Sequence, residues 1–209
     1  MKEIAKDLLE IKEVFLSTLN NFTRASAIKT PIYSDNRLTL SYPVIRKKIE
    51  QEMSKIIKEK YSQVEILMGT ATAGIPHAAY ISDLLDLPMG YVRSSAKAHG
   101  RQNQIEGKYE KGQKVVVIED LISTGGSSIE VVKTLEEAGL IVIGVVAIFS
   151  YNLQVAKDNF EKIKCPVSVV TNYDELLEVA LSLNYIDYLT KEKLLKWKLN
   201  PHDESWMNK

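Results

Sequence analysis

Cysteine is nearly absent from this chain of 209 residues. Cys165 stands alone, so no disulfide can close within the chain and a reducing compartment is the simple expectation. Its setting, Lys164-Cys165-Pro166-Val167 before an apolar stretch, suits a small buried residue better than a nucleophile. An excess of one charge is lacking too. The 27 Lys and Arg match 27 Asp and Glu, which argues against nucleic acid or an anionic membrane as partner and leaves any anion binding to locally placed cations. No run approaches the ~20 apolar residues of a membrane span. The longest, 140–149, is interrupted by Gly144 and fits a central strand. No long apolar segment follows Met1-Lys2-Glu3-Ile4, so no signal peptide is expected, and the expected location is cytoplasmic. Repeats and low-complexity linkers are also missing, and the length suits one α/β domain spanning 1–209.

What is present is alternation. Residues 3–20 carry Ile4, Leu8, Ile11, Phe15 and Leu19 on one helical stripe. Residues 22–42 break the pattern with Thr, Ser, Pro, Asp and Asn among Ile32, Tyr33, Leu38 and Leu40, and are expected to form short strands and turns of a small hood. Pro43 opens a charged helix to about 61, with Val44, Ile45, Ile49, Met53, Ile56 and Ile57 as its buried face. Strands are then expected at 65–69, 89–93, 114–120, 140–149 and 167–171, and helices at 75–85, 127–138, 153–163 and 174–183. Such a sequence of elements specifies a mostly parallel sheet flanked by helices, with ligands beyond the carboxyl ends of its strands. Residues 94–110 have no apolar period and are expected to be a long functional loop. The tail from Lys191, with Leu194, Leu195, Trp197 and Trp206, is expected to pack on the surface.

The most specific string is Val115-Val116-Val117-Ile118-Glu119-Asp120-Leu121-Ile122-Ser123-Thr124-Gly125-Gly126-Ser127-Ser128. An apolar run suits a strand buried on both faces. Two acids emerge at its end. Ser123, Thr124, Gly125, Gly126 and Ser127 can wrap a phosphate with amides and hydroxyls at the positive end of the following helix. Acids for sugar hydroxyls beside a phosphate cradle describe a site for a phosphorylated ribose. No Gly-Lys-Ser/Thr follows, so this is not a nucleotide P-loop. Gly69-Thr70-Ala71-Thr72-Ala73-Gly74 is a second small-residue loop between strand and helix, suited to close approach of an anion. Arg93, Lys97 and His99 cluster cations next to Gly100.

The string at 115–128 resembles the signature of the type I phosphoribosyltransferases, which bind 5-phosphoribosyl-1-diphosphate (PRPP). The segments Phe22-Thr23-Arg24-Ala25-Ser26-Ala27-Ile28-Lys29-Thr30-Pro31-Ile32-Tyr33-Ser34-Asp35-Asn36-Arg37-Leu38 and Tyr91-Val92-Arg93-Ser94-Ser95-Ala96-Lys97-Ala98-His99-Gly100 are similar to the hood and catalytic loop of its orotate-using members. The resemblance covers about residues 22–150. It implies a type I phosphoribosyltransferase fold and Mg²⁺-dependent transfer of the phosphoribosyl group from PRPP to orotate, in pyrimidine synthesis. Mg²⁺ would be held mainly by PRPP. The resemblance implies a homodimer whose 94–110 loop reaches the neighbouring site. By position it gives Lys97 and Asp120 catalytic roles. Arg93, Lys97, His99, Glu119, Asp120, Leu121, Ile122 and the 123–127 turn go to PRPP, and Thr70, Ala71, Thr72, Ala73 and Gly74 to its diphosphate. Ser123, Lys29 and Arg24 are candidates for orotate. The chain departs from many members at Arg24, Ala25 and Ala27 and lacks the arginine some carry after the fifth strand, where Ser150-Tyr151-Asn152 stand. A purine phosphoribosyltransferase or a PRPP-sensing regulator would share the PRPP site. The 22–38 segment speaks against the first, and the absence of an added basic module against the second.

Overall fold

The computed structural model describes residues 2–16, 22–23, 29–94 and 104–201. A first helix, α1 (Lys2–Glu10), leads to β1 (Val14–Leu16). The hood contributes β2 (Phe22–Thr23), β3 (Lys29–Thr30), β4 (Ile32–Ser34) and a 3₁₀ turn at Asn36–Ser41. Then come α2 (Pro43–Lys60), β5 (Ile66–Thr70), α3 (Gly74–Leu85), β6 (Met89–Val92) and β7 (Ile105–Glu106). The second half runs β8 (Lys114–Ile122), α4 (Gly126–Glu137), β9 (Ile141–Ser150), α5 (Gln154–Lys162), β10 (Val167–Asn172), α6 (Tyr173–Ser182) and α7 (Tyr188–Leu199).

Six strands form one sheet in the order β10-β9-β8-β5-β6-β7, parallel except for the β6–β7 edge pair. All of β5 and Val115–Ile118 of β8 are buried, as expected of central strands covered on both sides. One apolar layer lies under α1, α2, α3, α6 and α7; the other lies under α4 and α5. The expected parallel α/β sheet is therefore present, with element bounds within a few residues of the sequence pattern.

Four expectations are corrected. The first helix ends at Glu10 rather than near 20, because Lys12 turns the chain at φ 55°. Val14–Leu16 then pairs antiparallel with Ile32–Ser34. Val44 on α2 is 70% exposed, while Ile49, Met53 and Ile57 carry the buried face. The long loop holds a strand, since Ile105–Glu106 pairs with Tyr91 and Val92. Helix α7 adds to the core through one face, while its Leu189 and Leu199 are exposed and Trp206 lies outside the described residues. Leu194 and Trp197 on α7 are buried, and the Trp197 ring packs on Tyr151 and Tyr173 at 6.0 and 5.6 Å. Cys165 is buried as expected, and burial pushes its thiol up to about 11.

Candidate active site

The sheet order creates the site. From β5 the chain passes through α3 to β6 on one side, then returns to β8 on the other side of β5. Such a reversal opens a crevice outside the carboxyl ends of the two strands. Thr70, Ala71, Thr72 and Ala73 at the end of β5 meet Glu119, Asp120 and Leu121 in the last part of β8 and Ser127 at the start of α4, lining a cleft of about 600 Å³; Gly74, Ser123, Thr124, Gly125 and Gly126 do not line it. Glycine permits the close fit. A Cβ on Gly74 would stand 2.4 Å from both the Ile118 carbonyl oxygen and Thr70 Oγ1. The Ala71 amide bonds the Val92 carbonyl at 3.0 Å, which ties the loop to the end of β6; the Ala71–Thr72 peptide is cis.

The two adjacent acids have different roles. Glu119 is 5% exposed and its carboxylate is fully engaged. Oε1 accepts from the Thr70 hydroxyl at 2.6 Å and the Asp120 amide at 3.0 Å, and Oε2 accepts from the Ser128 hydroxyl at 2.8 Å. Burial, followed by neighbouring Asp120, raises its pKa, against the lowering effect of the two hydroxyls. Glu119 is thus a clasp joining the 70–74 loop to α4. Asp120 is half-buried and borders the cleft, and its carbonyl accepts from Asn36 Nδ2 at 2.6 Å. The hood is pinned to the sheet at this point.

The turn beyond β8 leads directly into the start of α4. Gly125 has φ +81°, and a Cβ there would meet Phe160 Cε2 at 2.7 Å. Asn159 Nδ2 on α5 steadies the turn by donating to the Thr124 carbonyl at 3.2 Å. Helix α4 starts at Gly126, and its first amides have no acceptor within the helix. Ser127 stands at the mouth, exposed and lining the cleft. Anions are favoured at such a helix start.

Arg93 lines the opposite wall, 3.8 Å from Glu106 and held by its amide's bond to the Gln104 carbonyl at 2.9 Å. Leu121 also lines the cleft, whereas the Ile122 side chain is buried in the layer under α4 and α5 and does not reach it. Thr70, Ala71, Thr72 and Ala73 border the cleft. Lys97, His99 and Arg24 lie outside the described residues; Lys29 is placed only as backbone, paired with Thr23. Sequence reasoning assigned no role to Ser34, Asp35, Asn36 and Arg37, which form the hood wall of the cleft, nor to Ser128. The polar run Ser34-Asp35-Asn36-Arg37 directly after a strand was the available signal. A larger groove of about 750 Å³ along α5 and β10 is walled mainly by apolar side chains such as Phe160, Leu153 and Val169, and contains neither ligand loop's acids. Among the described residues no group of three or more His, Cys, Asp or Glu is placed to hold a metal, and no helix is long and apolar enough to cross a membrane.

Residues 41–180 match the family model described as "Phosphoribosyl transferase domain". An orotate phosphoribosyltransferase of Listeria monocytogenes serotype 4b (strain F2365) is 57% identical over 205 residues, covering 98% of this chain and 97% of the relative. This chain belongs to the orotate phosphoribosyltransferases. Another member, from Fusobacterium nucleatum, is 58% identical over 201 residues, with 95% of each chain covered. Among solved structures, orotate phosphoribosyltransferase from Aeropyrum pernix superimposes with a TM-score of 0.77 at 25% identity, covering 88% of this chain and 99% of that one. The type I phosphoribosyltransferase fold expected from the signature is therefore the fold found. Membership also disfavours the purine and regulator alternatives, since the similarity runs through the hood as well as the PRPP signature.

Proposed function

We propose that this protein transfers the 5-phosphoribosyl group of PRPP to orotate, giving orotidine 5′-monophosphate and pyrophosphate on the route to UMP. The single observation that carries the reading is the meeting of residues 70–73 with Glu119, Asp120 and Ser127 in one cleft where the strand order reverses, in a chain 57% identical to an orotate phosphoribosyltransferase. In the reaction the bond from ribose C1 to the diphosphate oxygen breaks, the diphosphate leaves with the electron pair, and an orotate ring nitrogen bonds to C1 and releases its proton. Positive charge grows on the ribose as the bond lengthens, so the work of the protein is placement and charge management.

The α4 start, with Ser127, holds the 5-phosphate. Asp120 takes a ribose hydroxyl and lends negative charge to the ribose face. Glu119, occupied by three donors, sets the position of that face more than it binds. The 70–74 loop offers backbone groups to the diphosphate and Arg93 offers a cation. Lys97 and His99 add positive charge that stabilises the leaving group. Mg²⁺ would be held mainly by PRPP rather than by protein side chains. Asp120, half-buried at the cleft, is the carboxylate that would support it. When bound, the ion neutralises charge on the departing diphosphate. The active form is a cytoplasmic homodimer with shared sites.

A spectrophotometric assay tests the reading: purified protein with Mg²⁺ and PRPP depletes orotate and leaves adenine and hypoxanthine unchanged. Turnover of a purine without turnover of orotate would overturn it.

A further inference from the structure

Glu13 stands outside every role assigned so far, yet it is fully buried, at 0% exposure, behind the hood wall of the cleft. Its Oε1 lies 2.5 Å from Ser34 Oγ, and its Oε2 is buried with no hydrogen-bond partner among the described residues. Ser34 Oγ is also 3.3 Å from Asn36 Oδ1, and Asn36, 1% exposed, donates through Nδ2 to the Asp120 carbonyl at 2.6 Å. The polarity of this chain can be worked out from its far end. Asn36 must present its NH₂ to the Asp120 carbonyl, so its oxygen faces Ser34. A serine hydroxyl has one proton to give. If it goes to Asn36 Oδ1, Ser34 has none for Glu13, and the short contact requires a proton on the carboxyl. An ionised Glu13 would claim the serine proton, leave Asn36 Oδ1 without a donor, and keep its own second oxygen bare in the core, a costly arrangement.

We propose that Glu13 is a positioning residue for phosphoribosyl transfer: as a neutral acid it heads a one-way hydrogen-bond relay, Glu13 to Ser34 to Asn36 to the Asp120 carbonyl, which fixes Asp120 and the hood against each other. The environment agrees with the geometry. Burial is the main influence and raises the Glu13 pKa to about 8, aided by the charges of Asp35 and Asp120 and opposed by the Ser34 hydroxyl. Asp35 follows β4 and is paired with Arg37 at 2.5 Å, Asp120 lies within the last part of β8, and Lys12, the chain neighbour, is exposed. Loss of the Glu13 proton reverses the first link and weakens the Asn36 hold on the Asp120 carbonyl.

The inference rests on the phosphoribosyl-transfer reading for its consequence, but not for its first test. In ¹H–¹⁵N spectra of the ligand-free chain, the Asn36 side-chain amide shifts with pH with a midpoint near 8 in the wild type and not in Glu13→Gln. A flat wild-type response, or the same titration in Glu13→Gln, overturns the relay whatever the enzyme does. In the second test, kcat/KM for PRPP is followed from pH 6.5 to 9.5. Glu13→Gln, whose amide still donates to Ser34, keeps wild-type activity near pH 7 and loses the alkaline fall, so that it exceeds the wild type by about tenfold at the high end, the size of one lost hydrogen bond. Glu13→Leu, shown folded by its circular dichroism and thermal transition, is lowered by about tenfold at every pH. Wild-type activity in Glu13→Leu, or an unchanged alkaline fall in Glu13→Gln, overturns the positioning role. A wild type that titrates as expected but does not consume orotate would refute the substrate assignment and leave the relay standing.

Discussion

The Thr70 hydroxyl donates to the Glu119 carboxylate at 2.6 Å, and through that bond the end of β5 is locked to the last part of β8. Thr70 is 4% exposed and Glu119 is 5% exposed, so water cannot replace a missing partner cheaply. Thr70→Val keeps the shape and removes the donor. We expect a loss of about 1–3 kcal/mol in urea unfolding, the penalty for an under-satisfied buried acceptor. We also expect PRPP affinity, measured by calorimetry with Mg²⁺, to weaken by about tenfold, corresponding to about 1.4 kcal/mol. Unaltered PRPP binding in a destabilised Thr70→Val protein would mean that the clasp serves folding alone.

Gly74 tests the same junction sterically. Its missing side chain is what allows α3 to start against β8, since a Cβ would be 2.4 Å from the Ile118 carbonyl oxygen. The obstruction is backbone, so the change cannot be absorbed by a rotamer. Gly74→Ala is expected to push the 70–74 loop away from the cleft, costing about 1–3 kcal/mol as an overpacked site does. Steady-state kinetics should show KM for pyrophosphate in the reverse reaction rising more than KM for orotidine 5′-monophosphate. Equal effects on both would place the loop elsewhere in the reaction.

Much of this junction was legible in the sequence, and the parts that were not have physical causes. Val115–Ile118 announced a central strand, because a strand covered on both faces must be apolar throughout, and the small residues beyond it announced a backbone-lined turn. The division of labour between Glu119 and Asp120 was not legible: adjacent residues in a strand face opposite sides, but only the tertiary partners Thr70 and Ser128 show which acid is consumed internally. The first helix was overextended because Phe15 and Leu19 continue a 3.6-residue stripe. The turn at Lys12 carries a left-handed φ without glycine or proline to mark it. Trp197 looked like surface because α7 has an apolar stripe too narrow to stand out, yet its ring closes the cluster with Tyr151 and Tyr173.

Buried acids set the pH dependence of stability. Glu13 is raised to about 8 and Glu119 is raised as well, each mainly by burial. In the unfolded chain both titrate near the ordinary value of about 4.3. Between that pH and about 8 the folded state keeps a proton on Glu13 that the unfolded state has lost. Stability therefore falls as pH rises through this window, by up to about 1.4 kcal/mol per pH unit for each such group, and levels off above it. Asp174 acts in the opposite sense at acid pH, because Lys198 and Asn152 hold its pKa low against its burial. Urea midpoints measured from pH 5 to 9.5 should slope less steeply in Glu13→Gln than in the wild type. Parallel curves would show that Glu13 is ionised in the folded protein at neutral pH.

The last prediction concerns Lys97, which lies outside the described residues and enters by its place in the 94–110 loop. On the proposed reading Lys97 acts on the departing diphosphate, so its contribution would belong to the transition state and not to ground-state binding. Lys97→Ala should lower kcat by about 100-fold or more while the Kd for Mg-PRPP changes by less than about threefold, a split that pre-steady-state kinetics and calorimetry can separate. If the lysine serves the neighbouring subunit's site, mixing Lys97→Ala chains with Asp120→Ala chains has a defined outcome. Each mixed dimer contains one site with both defects and one with none. Random reassortment makes about half of the dimers mixed, so about a quarter of wild-type activity should return. No recovery in mixed dimers verified by mass spectrometry would place Lys97 and Asp120 in the same subunit's site.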